Sequence, residues 1–291
     1  MRVFVTGASG WIGSAVTLQL LANGHRVLGL ARSDESAERI AALGAEVQRG
    51  DLNDRDSLVA GAAATDGVIH LGYHHDFSQM GEAAQLDRAA IDTFGAVLEG
   101  TDKPLLIASG TLGLSVGRAG TEEDLADPDA HPRGANANAT LALADRGVRS
   151  VVVRFPPSVH GHGDYGFIAA LVGFARENGV SGYVGDGGNR WPAVHRTDAA
   201  RVVGLALESA PAGTVVHAIA EEGIPTRQIA EAVGRALGLD TEPVAPEKLS
   251  WLGPFFAADA PASSAITRER FGWNPTEPTL IEDIDAGAYT A

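Results

Sequence analysis

The sequence predicts an α/β fold built on a doubly wound parallel sheet. Three observations carry that class. The chain opens with a short apolar run, Val3-Phe4-Val5, then a glycine-rich turn, Thr6-Gly7-Ala8-Ser9-Gly10-Trp11-Ile12-Gly13, then an apolar stretch from Ser14 to Leu21. That pattern is strand, turn, helix. Strand-like and helix-like segments then alternate through the first two-thirds of the chain. Finally, 291 residues with 45 % hydrophobic side chains suffice for one large domain or two fused ones with a full core.

The elements follow in order. Asn23-Gly24 ends the first helix, with Gly24 suited to a left-handed cap. A second strand, Arg26 to Ala31, completes a unit of βαβ length. A helix fits Glu35 to Leu43 and is closed by Gly44. Ala45 to Gln48 reads as the third strand, followed by Gly50-Asp51-Leu52. The next helix starts near Asn53 or Asp54, whose side chains suit an N-cap. Val68 to Leu71 is the fourth strand, Gln79 to Glu99 a long helix, and Pro104 to Ser109 the fifth strand. Gly110 to Pro132 reads as a long loop, acidic at Glu122-Glu123-Asp124. Ala135 to Arg146 is alanine-rich and helical up to Gly147, and Val151 to Val153 is the sixth strand. Neither an internal repeat nor a low-complexity linker interrupts the series.

The glycines of the opening turn have separate physical roles. Gly7 can take backbone angles closed to residues with a Cβ, Gly10 lets the chain approach a pyrophosphate, and Gly13 lets helix and strand pack tightly. The unpaired amides at the start of the helix then face an anion. Strand before, helix after and glycines between make this a dinucleotide-binding signal.

Composition excludes several classes. The chain has no cysteine, which removes disulfides, thiolate catalysis and cysteine-ligated metals. Its formal net charge of −15 argues against nucleic acid or an anionic membrane as partner. No apolar run approaches the ~20 residues of a membrane helix. The N-terminus runs directly into the first strand, so no signal peptide is expected and the cytoplasm is the expected location. His74-His75-Asp76 lacks further ligands at metal-binding spacing, so no metal is expected.

With Thr6 before it, the Gly-x-x-Gly-x-x-Gly turn resembles that of the short-chain dehydrogenase/reductase superfamily, in its atypical extended, epimerase/dehydratase-like branch. Further motifs carry the resemblance along the chain. Asp51-Leu52 resembles the Asp-Leu after strand three, and Arg154 to Gly161 the Arg-x-Pro-x-x-x-x-Gly after strand six. Asn189 to Ala200 resembles the His-Val-x-Asp-x-Ala element, with Asp198 placed to cap a helix from Ala199 to Glu208. Phe271-Gly272-Trp273-Asn274-Pro275 matches the C-terminal Leu-Gly-Trp-x-Pro. The resemblance implies a Rossmann-type nucleotide domain over residues 1–156, with later returns of chain near 190–220. A smaller, mostly helical substrate region over 157–291 completes the expected architecture. It also implies a cofactor held by Gly7, Ser9, Gly10, Trp11, Ile12 and Gly13, with Asp51 accepting from the adenine amino group and Leu52, Leu71, Gly72 and Pro156 bordering the cleft.

The end of strand two sets the cofactor preference. An NAD-binding chain usually places Asp or Glu there for the ribose 2′-hydroxyl. Here the position holds Ala31, followed by Arg32 and Ser33. A guanidinium can grip a 2′-phosphate bidentately, and no carboxylate repels it. NADP(H) is therefore the expected cofactor.

The family's reductases use a Tyr-x-x-x-Lys pair, and this chain has none. Its tyrosines are Tyr73, Tyr165, Tyr183 and Tyr289, its lysines Lys103 and Lys248, and no lysine follows a tyrosine by four. By chain order the pair belongs near Ala130 to Asn136. Other groups must then do the chemistry. Tyr73, after strand four, is the first candidate proton donor, or else an aromatic lid. His131 is the second, since an imidazole can act as an acid near neutral pH. Ser109 and Thr111 both stand where the family keeps a hydroxyl on the substrate oxygen. Arg133 can orient an anionic substrate, or with His131 simply solvate the helix start. Tyr165, Trp191 and Phe255 are candidates for an apolar substrate wall, or for plain packing.

The expected function is an NADP(H)-dependent oxidoreductase acting on C=O, C=C or C=N in a small or medium organic substrate. A non-catalytic NADP(H) sensor and a nucleotide-sugar epimerase or dehydratase are the alternatives. A homodimer is the expected assembly.

Overall fold

The computed structural model describes residues 1–74, 80–114, 117–128 and 132–290. They divide into two compact units, Met1–Gly110 with Leu125–Arg154 and Ala200–Val216, and Thr111–Asp124 with Phe155–Ala199 and His217–Ala291. Segment 111–124, which the sequence reading kept with the nucleotide domain, clusters with the second unit.

The first unit is the predicted α/β sheet. Its strands are β1 (Arg2–Thr6), β2 (Arg26–Ala31), β3 (Glu46–Arg49), β4 (Gly67–His70), β5 (Pro104–Gly110), β6 (Arg149–Phe155) and β10 (Thr214–His217). They form a seven-stranded sheet in the order β10-β6-β5-β4-β1-β2-β3. β1 pairs in parallel with β2 and β4, β2 with β3, and β4 with β5. Strands covered on both faces read as continuous apolar runs, and Val3, Phe4 and Val5 have no exposed surface. The helices are α1 (Trp11–Ala22), α2 (Asp34–Ala42), α3 (Arg55–Ala63), α4 (Met80–Leu98) and α5 (Pro132–Ala142), the last continued by a 3₁₀ turn over Leu143–Arg146. Ser33 and Asp54 cap α2 and α3 by accepting from Ser36 and Ser57 amides. Phe4 and Phe94 meet edge to face beneath the sheet, at 6.1 Å between centroids. A Cβ at Gly61 would strike the Phe4 ring, so α3 lies close because it is glycine there.

Strand order reverses at the β1/β4 boundary. The connections run from β1 through β2 to β3 on one side and from β4 through β5 to β6 on the other. The carboxyl ends of β1 and β4 therefore form the topological switch point, where open α/β sheets bind ligands. The glycine turn follows β1, and Leu71-Gly72-Tyr73 follows β4.

The second unit combines helices with two small sheets. β7 (Ser158–His160), β9 (Arg190–His195) and β11 (Glu221–Pro225) form one, β8 (Ser181–Val184) and β12 (Thr241–Val244) the other. α6 (Phe167–Asn178), α8 (Thr226–Leu237), α9 (Gly253–Phe256), α10 (Ala265–Phe271) and α11 (Leu280–Asp285) pack around them. Trp191, Ile229, Val233, Phe256, Leu280 and Ile284 form its apolar centre. α7 (Arg196–Ser209) begins before Asp198, so Asp198 is not its cap. The buried carboxylate instead accepts from the Thr276 amide at 3.2 Å and the Glu277 amide at 3.0 Å. The Trp273 indole donates to the Asp198 carbonyl at 3.2 Å, which fastens the Gly-Trp-Asn-Pro segment to the same turn.

Candidate functional site

The glycine turn separates into structural and open positions. Gly7 stands at φ +70°, and a Cβ there would lie 2.7 Å from the Gly72 amide nitrogen. A Cβ on Gly13 would collide with the Gly7 carbonyl oxygen. Both glycines are required by the protein itself. Gly10 is different. Its backbone is extended, φ −80° and ψ −179°, and a Cβ would meet only the Gly7 carbonyl oxygen, at 3.2 Å. Among the described residues no other heavy atom lies within 4 Å of that position, so the space beside Gly10 is open. Gly10 is also the N-cap of α1, with no side-chain cap and no acidic residue in the first turn. The helix dipole and first-turn amides thus favour an anion beside Gly10. Ser9, Trp11 and Ile12 line this turn, partly exposed.

The ends of β2 and β3 carry the next group of candidates. Ala31 is buried and Arg32 exposed. The Ser33 hydroxyl accepts from the Ser36 amide at 3.2 Å, so it is engaged in capping. Arg49 was not anticipated. It donates to the Ser33 carbonyl and to Asp34, both at 2.7 Å, and adds a second guanidinium beside Ser33. Asp51 accepts from the Asn53 amide at 2.9 Å and side chain at 2.7 Å, both on Oδ1. The Asn53 amide bond, against burial and helped by the Arg32 and His74 charges, holds this carboxyl below the usual range. Leu52, after β3, and Leu71 and Gly72, after β4, are partly exposed.

At the β4 end, two separately chosen candidates come together. The Arg133 guanidinium carbon lies 4.1 Å from the centroid of the Tyr73 ring. Arg133 Nη2 donates to the Ala108 carbonyl at 2.9 Å, which fixes the guanidinium against β5. Tyr73 is half-buried. Burial pushes its phenol up, the Arg133 charge pulls it down and the Asp87 carboxylate pushes it up, leaving it above the ordinary tyrosine range. The phenol therefore carries its proton at neutral pH. Ser109, buried, is the penultimate residue of β5 in the same unit.

Asp87 was missed from sequence. Burial pushes its carboxyl up, but His70, the Arg133 charge and Asn136 outweigh that and hold it below the usual range. The signal was present. Ala83, Ala84, Asp87, Ala90, Ile91, Phe94 and Leu98 form the buried stripe of α4, and a carboxylate in such a stripe needs partners.

The second unit holds the remaining candidates. The Thr111 amide donates to the Phe155 carbonyl at 3.2 Å. Its hydroxyl, on a residue 2 % exposed, has no hydrogen-bond partner among the described residues. An unsatisfied buried hydroxyl costs about 1–3 kcal/mol, which a polar ligand would recover. Pro156 is buried at the end of β6. Tyr165 is 71 % exposed on a loop whose Asp164 accepts from the Tyr289 hydroxyl at 2.8 Å. Trp191 has no exposed surface. Its indole donates to the Phe255 carbonyl at 3.2 Å, and its ring meets Phe256 edge to face at 5.0 Å. The interior thus uses the whole ring, which leaves no face for a substrate wall; Phe255 is half-buried beside it. His131, and His75 and Asp76 of the histidine pair, lie outside the described residues. Among the described residues no group of three His, Asp or Glu could hold a metal ion.

The model of the NAD dependent epimerase/dehydratase family matches residues 3–103. An uncharacterized protein of Schizosaccharomyces pombe (strain 972 / ATCC 24843) is 46 % identical over 294 residues, covering 99 % of this chain and 100 % of its own. Another, of Saccharomyces cerevisiae (strain ATCC 204508 / S288c), is 42 % identical and covers 98 % of each chain. The 2-alkyl-3-oxoalkanoate reductase of Stenotrophomonas maltophilia (strain K279a) is 27 % identical over 256 residues, 82 % of this chain and 76 % of its own. Among solved structures, the dTDP-glucose 4,6-dehydratase of Streptomyces venezuelae with NAD bound superposes with a TM-score of 0.78 at 19 % identity, over 99 % of this chain and 96 % of its own. The UDP-glucose 4-epimerase of Thermotoga maritima gives 0.77 at 18 % identity, over 99 % and 98 %.

Proposed function

The chain belongs to the NAD dependent epimerase/dehydratase family, in the extended branch of the short-chain dehydrogenase/reductase superfamily, and on that footing we propose that it is an NADP(H)-dependent reductase of a small or medium organic substrate. The observation that carries this reading is the Tyr73 ring beneath the Arg133 guanidinium, 4.1 Å from centroid to charge centre. A protonated phenol with a cation on its face can give up a proton and have the charge left behind stabilised.

The nucleotide-side residues suit the dinucleotide. Gly10 and the α1 amides would hold the pyrophosphate, Arg32 a 2′-phosphate and Asp51 the adenine amino group. The nicotinamide supplies or accepts hydride when bound. Tyr73 then gives its proton to the oxygen, carbon or nitrogen made basic by hydride addition. Arg133 stabilises the phenolate, and the Ser109 hydroxyl donates to the same substrate atom. Thr111, with its unsatisfied hydroxyl, is the alternative donor.

Two measurements test the reading. NADPH should bind more tightly than NADH in a direct titration. Tyr73→Phe should lower turnover by about 10²–10⁴-fold, the usual worth of a general acid, with cofactor affinity retained. Full turnover in Tyr73→Phe would remove Tyr73 from the chemistry. Cofactor binding with no turnover across carbonyl, enone and imine substrates would favour a sensor, the reading to which the missing lysine points.

A further inference from the structure

Four buried polar side chains join the two parts of this candidate site. Thr6, His70, Asp87 and Asn136 are 0 %, 1 %, 4 % and 5 % exposed. They come from β1, β4, α4 and α5. The Gly72 amide donates to Thr6 Oγ1 at 3.0 Å, and Thr6 Oγ1 lies 2.6 Å from His70 Nδ1. His70 Nε2 stands 3.2 Å from Asp87 Oδ1, outside the alignment of a formal hydrogen bond but at ion-pair range. Asn136 Nδ2 donates to Asp87 Oδ2 at 2.6 Å and to the Ala84 carbonyl at 2.9 Å.

The donors converge on Asp87 from both ends of the series. Asp87, an acceptor-only carboxylate, calls for a proton on the His70 Nε2 that faces it at 3.2 Å. In that tautomer Nδ1 accepts from the Thr6 hydroxyl, whose oxygen in turn accepts from Gly72. Asp87 accepts a further hydrogen bond from Asn136, one helical turn beyond Arg133. Both termini of the series touch the candidate site. Gly72 precedes Tyr73 and packs on Gly7, while Asn136 shares α5 with Arg133.

We propose that His70 and Asp87 are positioning residues which, with Thr6 and Asn136, form one buried relay tying the glycine turn to the Tyr73–Arg133 pair. This rests on that turn being the nucleotide site. Through Thr6, the relay holds the Gly72 amide and hence the seat of Gly7. Through Asn136 it holds α5 in the register that puts Arg133 over Tyr73. Asp87 also sets the electrostatic balance, because its charge opposes that of Arg133 at the Tyr73 phenol. A packing role alone would be indifferent to that charge.

Full-length protein carrying Thr6→Val, Thr6→Ser, Asp87→Asn and Tyr73→Phe provides the test. Thr6→Val keeps the shape of threonine but leaves the Gly72 amide unpaired. It should weaken NADPH and NADH binding alike, by about tenfold or more, while Thr6→Ser restores affinity to near wild type. Asp87→Asn keeps size and the Asn136 contact but removes charge. It should shift the Tyr73 phenol to lower pH in an ultraviolet titration, with the Tyr73→Phe difference isolating Tyr73 from the other tyrosines. Nitrogen NMR of His70 should show a proton on Nε2, with Nδ1 acting as the acceptor toward Thr6. An unmoved Tyr73 titration in Asp87→Asn, unchanged cofactor affinity in Thr6→Val, or a proton on Nδ1 each overturns the relay. Wild-type protein that binds neither cofactor overturns the nucleotide reading instead, and the tautomer and the Tyr73 titration still decide whether the relay exists.

Discussion

Gly10 and Gly13, three residues apart in the glycine turn, should respond in opposite ways to the same added carbon. At Gly13 a Cβ collides with the Gly7 carbonyl oxygen and approaches the Gly7 carbonyl carbon to 2.7 Å. Neither atom belongs to a side chain that could swing aside, so α1 must lift from β1. Overpacking of this kind costs about 1–3 kcal/mol, and a backbone obstacle puts Gly13→Ala at the upper end or beyond. At Gly10 the extended backbone accepts any L-residue, and the single neighbour, at 3.2 Å, moves by a few tenths of an ångström at most. The remaining cost is loss of a favourable N-cap, about 1 kcal/mol or less. Gly10→Val should therefore unfold in urea close to wild type and yet lose NADPH binding, since its branched side chain occupies the phosphate approach. Gly13→Ala should lose stability first, with affinity falling as a consequence. Urea melts and NADPH fluorescence titrations on both variants read the two effects separately. Normal NADPH affinity in a folded Gly10→Val protein would place the pyrophosphate elsewhere. An equally unstable Gly10→Val would mean that Gly10 is structural after all.

Two further outcomes follow from the electrostatics. Arg32→Ala should cost NADPH affinity by about 1.5–3 kcal/mol, the scale of a charge-assisted hydrogen bond, and leave NADH nearly unchanged; calorimetric titrations giving equal losses would refute the 2′-phosphate role. Asp87 has a folded pKa below that of an unfolded carboxylate, about 3.9, so its contribution is fully present above that pH and fades as pH falls through the lower folded value. Asp87→Asn should lower neutral-pH stability and flatten the acid limb of a melting-temperature profile, and an acid limb as steep as in wild type would count against the buried charge.

The first unit was legible because its signals are local. Buried parallel strands are apolar runs, and glycines and capping residues mark the ends between them, as at Gly24, Gly44 and Asp54. The second unit's strands were not legible. β8 reads Ser-Gly-Tyr-Val, β12 Thr-Glu-Pro-Val and β11 Glu-Glu-Gly-Ile-Pro. Each is short, carries Gly or Pro and lacks alternation, and its pairing comes from residues far along the chain. Asp198 shows the same limit. An acidic residue before two alanines suggests a cap, but its partners, Thr276 and Glu277, lie almost eighty positions away. For the candidate site, the glycine turn and Tyr73 stand out as candidates in the sequence itself. The Arg133 stacking could not, because nothing in the spacing of residues 73 and 133 brings them together. Asp87 was readable only as a misfit in an apolar stripe, with His70 and Asn136 unknown.

The Arg133–Tyr73 geometry also bears on the direction of the chemistry. In the family's usual pair, lysine lowers the tyrosine pKa, so the phenol can serve as acid or base. Here the cation lies over the ring face, tethered to the Ala108 carbonyl. Its pull on the phenol is outweighed by burial and Asp87, and the phenol stays above its ordinary range. Such a group is always supplied with a proton at neutral pH and almost never without one. It therefore fits a donor in reduction and makes a poor base for alcohol oxidation. The Tyr73→Phe comparison, run in both directions, reads this difference. Reduction should lose most of its rate, whereas oxidation should start slow, rise with pH in the wild type and lose that rise in the variant. Comparable wild-type rates in both directions at neutral pH would mean that the proton passes through another group.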